Sequence, residues 1–166
     1  SGSVPLVERG ELTVMVGGDE AALDRVRPVL DILATRVFRL GDVGAGAVMK
    51  LVVNSLVHAL NVSLSEAFVL AEKAGLDREQ VYDVFEASAV GAPFVRYKRA
   101  AFLDPAGTPV AFSLDLVAKD QMLIGGLADD VDARMDQAET NRRIVAEAIT
   151  AGLGQRDMSA LAVYLR

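Results

Sequence analysis

The chain has no cysteine, no tryptophan and a single histidine among its 166 residues. Without cysteine there is no disulfide, no thiolate nucleophile and no cysteine-bound metal. The lone His58 leaves no histidine cluster for a metal ion. Aromatic residues make up only 5% of the chain, so its core is expected to be built from Ala, Val and Leu, a composition that suits closely packed helices. Positive charge is scarce as well: 17 Lys and Arg stand against 23 Asp and Glu, for a net charge of −6. Arg96-Tyr97-Lys98-Arg99 is the nearest thing to a basic run. Phosphate recognition is built on Lys/Arg clusters, so nucleic acid is not an expected partner. No apolar run reaches the ~18 uninterrupted residues of a spanning helix, so no membrane association is expected. Lys50, Asn54, His58, Asn61 and Glu66 interrupt the longest one. These absences fit a cytoplasmic location. No secretory pattern opens the chain, and it does not begin with Met, so its gene is expected to start upstream of Ser1.

Apolar residues, by contrast, are plentiful. They form 52% of the chain, and mean hydropathy is +0.31. At this length one domain with a full core is expected, and the excess apolar surface is expected to meet another subunit or a further domain.

Glu11 to Val16 reads as a short strand closed by Gly17-Gly18. Asp19 then caps a helix whose apolar stripe is Ala22, Val26, Val29, Leu30 and Leu33. Arg36 to Leu40 reads as a second strand. A long helix is expected from about Gly44 to Ala74, ~45 Å in length, with Gly75 at its C-terminus. Asp77 opens the next helix, with Val81, Val84 and Phe85 as its buried side, and Gly91-Ala-Pro93 breaks it. Asp104 to Pro109 is a loop. Further helices are expected over Ser113 to Leu127, Gln137 to Leu153 and Ser159 to Leu165. Two strands do not make a stable sheet alone, so Leu12, Val14 and Val16 call for neighbours that this sequence does not contain.

The most informative stretch is Gly41-Asp-Val-Gly44-Ala-Gly46-Ala-Val-Met-Lys50-Leu-Val-Val-Asn54. It sets a lysine and an asparagine four residues apart on one face of an apolar helix. A lysine among Val48, Met49, Leu51, Val52 and Val53 is expected to be poorly hydrated, and burying an ammonium is costly unless it is partnered. Such a group either ends a structural ion pair or serves as a proton donor at the rim of a site. The glycines do not have the G-x-G-x-x-G spacing of a dinucleotide fingerprint. They form either a plain helix-entry loop or a place where a group, favoured if anionic, closely approaches a helix N-terminus. Lys50, Asn54, His58 or Asn61, and Ser65 recur at steps of three to four, which is either a solvent-facing stripe or the wall of a site. His58 fits packing or capping better than catalysis. Lys119-Asp120 lies between two apolar pairs and reads either as a surface ion pair or as a second candidate site. Ser1-Gly2-Ser3 taken alone has the form of an expression-tag remnant.

Four of these segments, in order, resemble the C-terminal part of the β-hydroxyacid dehydrogenase family. G-x-x-G-x-G-x-x-x-K-x-x-x-N falls on Gly41, Gly44, Gly46, Lys50 and Asn54. F-x-x-x-L-x-x-K-D falls on Phe112, Leu116, Lys119 and Asp120. Gly10-x-Leu12-x-x-Met15-x-Gly17-Gly18 matches as well, and Gly152-x-Gly154-x-x-Asp157-x-Ser159-Ala160 matches the closing motif. The family carries D-A-P-V-S-G-G before the first strand, so the resemblance makes Ser1-Gly2-Ser3 native sequence that begins within that motif. Ser3 stands where the family has glycine, and Ser55 where it often has a second Asn.

The resemblance implies a mainly α fold: the helical C-terminal domain of a 6-phosphogluconate dehydrogenase-like β-hydroxyacid dehydrogenase. A short strand–helix–strand remnant of a Rossmann domain would precede it. The expected division is 1–42 for the remnant and 43–166 for the helical catalytic and dimerisation domain. By similarity Lys50 is the general acid/base, and Asn54 holds either Lys50 or a substrate oxygen. Ser1, Gly2 and Ser3 would contact the substrate carboxylate, and Lys119 and Gly46 would lie at the cofactor, NAD or NADP. Most of that cofactor's site would be upstream. The implied substrate is a small 3-hydroxy acid or its semialdehyde, with no metal, and the implied assembly is a homodimer or higher homo-oligomer. Imine reductases share the fold but usually lack a lysine at the position of Lys50. A helical dimerisation module without turnover is the competing expectation. Lys50, Asn54 and Lys119 favour an enzyme for the parent protein, with the fragment alone inactive.

Overall fold

A computed structural model describes residues 1–2 and 4–166; the Ser3 expectation falls outside the described residues. By its contacts the chain divides into two compact units, Ser1–Asn54 and Ser55–Arg166. The dividing point lies inside a helix, whereas the boundary expected from the sequence lies just before that helix begins.

The first unit holds α1 (Val4–Glu8), β1 (Leu12–Val16), α2 (Glu20–Leu33), β2 (Ala34–Arg39) and the opening turns of α3 (Ala45–Lys73). The strands pair in parallel, Val14 opposite Val37 and Val16 opposite Arg39, with an irregularity between Leu12 and Thr13. A parallel pair needs a crossover, and α2 supplies it. Asp19 caps α2, its Oδ1 accepting from the Ala22 amide at 3.0 Å. The α2 stripe differs from expectation: Leu23 is the buried residue, while Val26, Val29 and Leu33 are exposed. All five β1 residues are half-buried, so Leu12, Val14 and Val16 are only partly covered within the described residues. The helix α1 has no counterpart in the sequence reading.

The second unit holds the rest of α3, then α4 (Arg78–Ala87), α5 (Pro93–Leu103), α6 (Leu114–Asp130) and α7 (Asp136–Ala148). A π-turn (Ile149–Leu153), a 3-10 turn (Met158–Ala160) and α8 (Leu161–Tyr164) complete it. Helix α3 is 29 residues long. It closes on Gly75 at φ +85, whose amide and that of Leu76 donate to the Glu72 and Ala71 carbonyls. Only glycine takes that backbone conformation without strain. Among the described residues α3 is the one helix long and apolar enough to cross a membrane by length and composition. Its C-terminal half supplies core residues of the second unit: Val62, Leu64, Phe68 and Val69.

The scarce aromatics occupy the centre of that core. Phe68 meets Tyr82 and Phe102 edge-on, each at 5.8 Å between ring centroids. The Tyr82 hydroxyl donates to the Val95 carbonyl at 2.8 Å. Few aromatics thus do not mean a core without them, because each large ring buries far more area than an alanine. In α4 Tyr82 is buried and Val84 exposed, against the expected side Val81, Val84 and Phe85. Helix α4 ends at Ala87, ahead of the expected Gly91-Ala-Pro93 break, and Pro93 stands at the start of α5, where its missing amide costs nothing.

Candidate active site

Within the first unit the chain turns from β2 into α3 through Gly41 to Gly44, and Gly18 and Gly41 are linked by an amide–carbonyl bond of 2.8 Å. Gly17 and Gly46 face each other across this turn. A Cβ on Gly46 would strike the Met15 carbonyl and lie 3.0 Å from the Gly17 nitrogen. A Cβ on Gly17 would strike the Asp42 carbonyl and lie 2.8 Å from the Ala45 nitrogen. The close approach at the head of α3 is therefore made by the end of β1 itself. Gly44, in contrast, has open space where its Cβ would stand.

That packing sets the azimuth of α3, and with it Lys50. One turn on, the Lys50 ammonium donates to Asn54 Oδ1 at 2.8 Å. Asn54 is buried. Lys50 is half-buried rather than buried, since Val48, Met49 and Val52 around it are themselves partly exposed. It therefore stands at a rim, a better place for exchanging a proton than a sealed core. Ser1 and Gly2 are exposed at the edge of the same unit. Ser1 is bonded both ways to Thr13: its amine reaches the Thr13 carbonyl at 2.5 Å and its carbonyl accepts from the Thr13 amide at 3.0 Å. Gly2 is held at φ +147, and a Cβ there would come within 2.7 Å of Leu12 Cδ2.

In the second unit Lys119 is exposed, and its ammonium reaches Asp120 Oδ1 at 3.0 Å. This is no ordinary surface pair, because Asp120 is buried. Its other oxygen lies 3.5 Å from His58 Nε2. His58 is buried too, and its ring is tilted over Phe112 at 6.1 Å between centroids. The polar stripe on α3 is thus largely an inward-facing one: Asn54, His58, Asn61 and Ser65 are all buried. Asn61 Nδ2 donates to the Met158 carbonyl at 2.9 Å.

The sequence reading missed one buried charge. Lys98 in α5 is 2% exposed, and its ammonium contacts both oxygens of Asp157 at 2.7 Å. Asp157 also accepts from the amides of Ala111, Phe112 and Ser159. It therefore ties α5, the entry to α6 and the closing motif together. The helical spacing of Val95, Lys98, Ala101 and Phe102 could have revealed Lys98 as a core-facing lysine. Among the described residues no three His, Asp or Glu side chains gather to hold a metal ion.

A parallel strand–helix–strand unit, a glycine turn and a long lysine-bearing helix are the features that the resemblance implied. Family comparison agrees. Residues 44–165 match the family described as NAD-binding of NADP-dependent 3-hydroxyisobutyrate dehydrogenase. Residues 1–41 match the NAD binding domain of 6-phosphogluconate dehydrogenase. The chain belongs to the 3-hydroxyisobutyrate dehydrogenase-like (β-hydroxyacid dehydrogenase) family. It is 34% identical over 161 residues to glyoxylate/succinic semialdehyde reductase 1 of Arabidopsis thaliana, covering 97% of this chain and 55% of that protein. To 2-(hydroxymethyl)glutarate dehydrogenase of Eubacterium barkeri it is 31% identical, covering 97% of this chain and 54% of that protein. Among solved structures it is similar to 3-hydroxyisobutyrate dehydrogenase from Salmonella typhimurium, with a TM-score of 0.91 and 32% identity, over 99% of this chain and 57% of that one. The chain spans about half the length of the curated relatives it matches.

Proposed function

We propose that this chain is the C-terminal part of an NAD(P)-dependent oxidoreductase that interconverts a 3-hydroxy acid and its semialdehyde. The observation that carries this reading is the Lys50–Asn54 pair at the rim of α3. The names of the relatives, reductases of semialdehydes and dehydrogenases of hydroxy acids, support the substrate class. The nicotinamide cofactor supplies or accepts the hydride; the residues here handle the proton. Reduction of a carbonyl builds negative charge on its oxygen, and the Lys50 ammonium stabilises that charge while giving up a proton. In the oxidative direction the amine takes the hydroxyl proton. Asn54 Oδ1 accepts from the Lys50 ammonium and so helps to fix where that ammonium stands.

The residues suit such a cofactor by their chemistry. Lys119 offers an exposed cation, and the N-terminus of α3 opens beside Gly44, where no side chain intrudes. Gly46 would act there by letting α3 approach β1 rather than by touching the cofactor. Ser1 and Gly2 suit a substrate carboxylate by being exposed in the same unit as Lys50. Homo-oligomeric assembly belongs to the same reading, supported by the exposed Leu56 and Leu70 on α3. So does a cytoplasmic location, on the composition.

The test is turnover of the complete protein. Lys50→Ala is expected to lower kcat by about 10²–10⁴-fold with the circular dichroism spectrum unchanged. A kcat within about threefold of the parent would refute the proton-transfer role.

A further inference from the structure

We propose that His58 is a positioning residue that governs the Asp120–Lys119 pair, making the hold on the Lys119 ammonium depend on pH. Asp120 is a buried carboxylate that, among the described residues, has a lysine at one oxygen and a titratable imidazole at the other. Lys119 reaches Oδ1 at 3.0 Å, and the His58 imidazole lies 3.5 Å from Oδ2. The two groups come from different elements, His58 from α3 and Lys119 from α6. Lys119 is exposed and free to swing on a flexible stem, whereas His58 is enclosed and fixed against the Phe112 ring. His58 thus fixes one edge of the carboxylate, and the carboxylate fixes the lysine.

Charge then sets the balance. When the imidazole is neutral, the full charge of Asp120 is available to Lys119. When it is protonated, it forms an ion pair with Asp120 in a poorly hydrated place, and the attraction left for Lys119 falls. Among the described residues the charged groups shown beside the imidazole are Asp120 and, behind it, Lys119, both on α6; the segment leading into α6 presents the uncharged Phe112 ring. On α3 itself the nearest charged residues in sequence are Lys50, two turns before His58, and Glu66, two turns after it. Through Lys119 this rests on the reading above, which puts that ammonium at the cofactor. The coupling itself does not.

His58 is the chain's one histidine, so its ring protons give an unambiguous NMR titration. The parent chain, Asp120→Asn and Lys119→Met are compared. Losing the carboxylate is expected to lower the imidazole pKa by about one unit or more, because the imidazolium loses its counter-charge. Losing the competing ammonium is expected to raise it by about half a unit or more, because Asp120 then serves His58 alone. Lys119 is exposed, so Lys119→Met does not threaten the fold. Shifts below about 0.2 unit in both variants overturn the proposal. A shift in Asp120→Asn alone overturns it too, since His58 would then sense Asp120 without acting on Lys119.

A second arm uses the complete enzyme and His58→Gln against His58→Leu. Glutamine keeps a donor near Asp120 but does not titrate. It is expected to hold the cofactor KM near the parent value at high pH while abolishing its rise in acid. Leucine is expected to raise that KM at every pH with kcat little changed. An equal rise of the cofactor KM in the two variants overturns the positioning role. If the titrations couple but no cofactor dependence exists, the reading of Lys119 at the cofactor fails while the His58–Asp120–Lys119 linkage stands.

Discussion

Replacing Lys98 by Met removes a buried ammonium while leaving most of its stem volume, so the perturbation is electrostatic rather than a cavity. Asp157 would keep its bonds from the Ala111, Phe112 and Ser159 amides, at 3.0, 3.2 and 3.0 Å. It would lose both 2.7 Å contacts to the lysine. Breaking a buried pair by removing one partner costs about 3–5 kcal/mol. The three surviving amide donors argue for the lower end, about 3 kcal/mol. For a chain of this size that corresponds to a fall in Tm of about 6–12 °C. Urea unfolding followed by far-ultraviolet circular dichroism measures it, with an unchanged slope showing that the folded state is the same.

The same pair predicts a pH signature. Burial pushes the Asp157 carboxyl up, but Lys98 and the amides of Ser159 and Phe112 outweigh it and hold the group below the usual carboxylate range. A folded pKa below the unfolded one gives stability that is full above about pH 4 and lost as pH falls through the folded value. In Lys98→Met the folded carboxyl rises, so acid unfolding is expected to begin at a higher pH than in the parent. A loss below about 1 kcal/mol at neutral pH, with unshifted acid unfolding, would refute the reasoning.

Two further outcomes follow from single contacts. Gly46→Ala drives a Cβ into the Met15 carbonyl, backbone that has no rotamer to yield. It is expected to cost about 1–3 kcal/mol, read as a fall in Tm, and a Tm within about one degree of the parent would show that α3 shifts freely. Gln121 is buried in α6 and neither atom of its amide finds a hydrogen-bond partner among the described residues. Gln121→Met is therefore expected to stabilise the chain by about 1–2 kcal/mol in urea, and a comparable loss would mean the amide is satisfied in solution.

The sequence by itself determined the elements whose signals are local. Asp19 and Asp77 cap α2 and α4, Ser113 caps α6, and Gly75 ends α3, because capping and left-handed glycine depend on a few adjacent residues. The Lys50–Asn54 pair was legible for the same reason: four residues along one helix put two side chains within reach whatever surrounds them. The family followed from motifs kept in order. Tertiary structure alone decided which faces are covered. It exposed Val26 and Val29, left Lys50 half-buried, and made Gly46 a packing residue against Met15. It also joined Lys98 to Asp157 across 59 positions and set His58 beside Asp120. Partners so far apart in sequence leave no local trace, since their meeting depends on how whole helices pack and not on any propensity of the residues themselves.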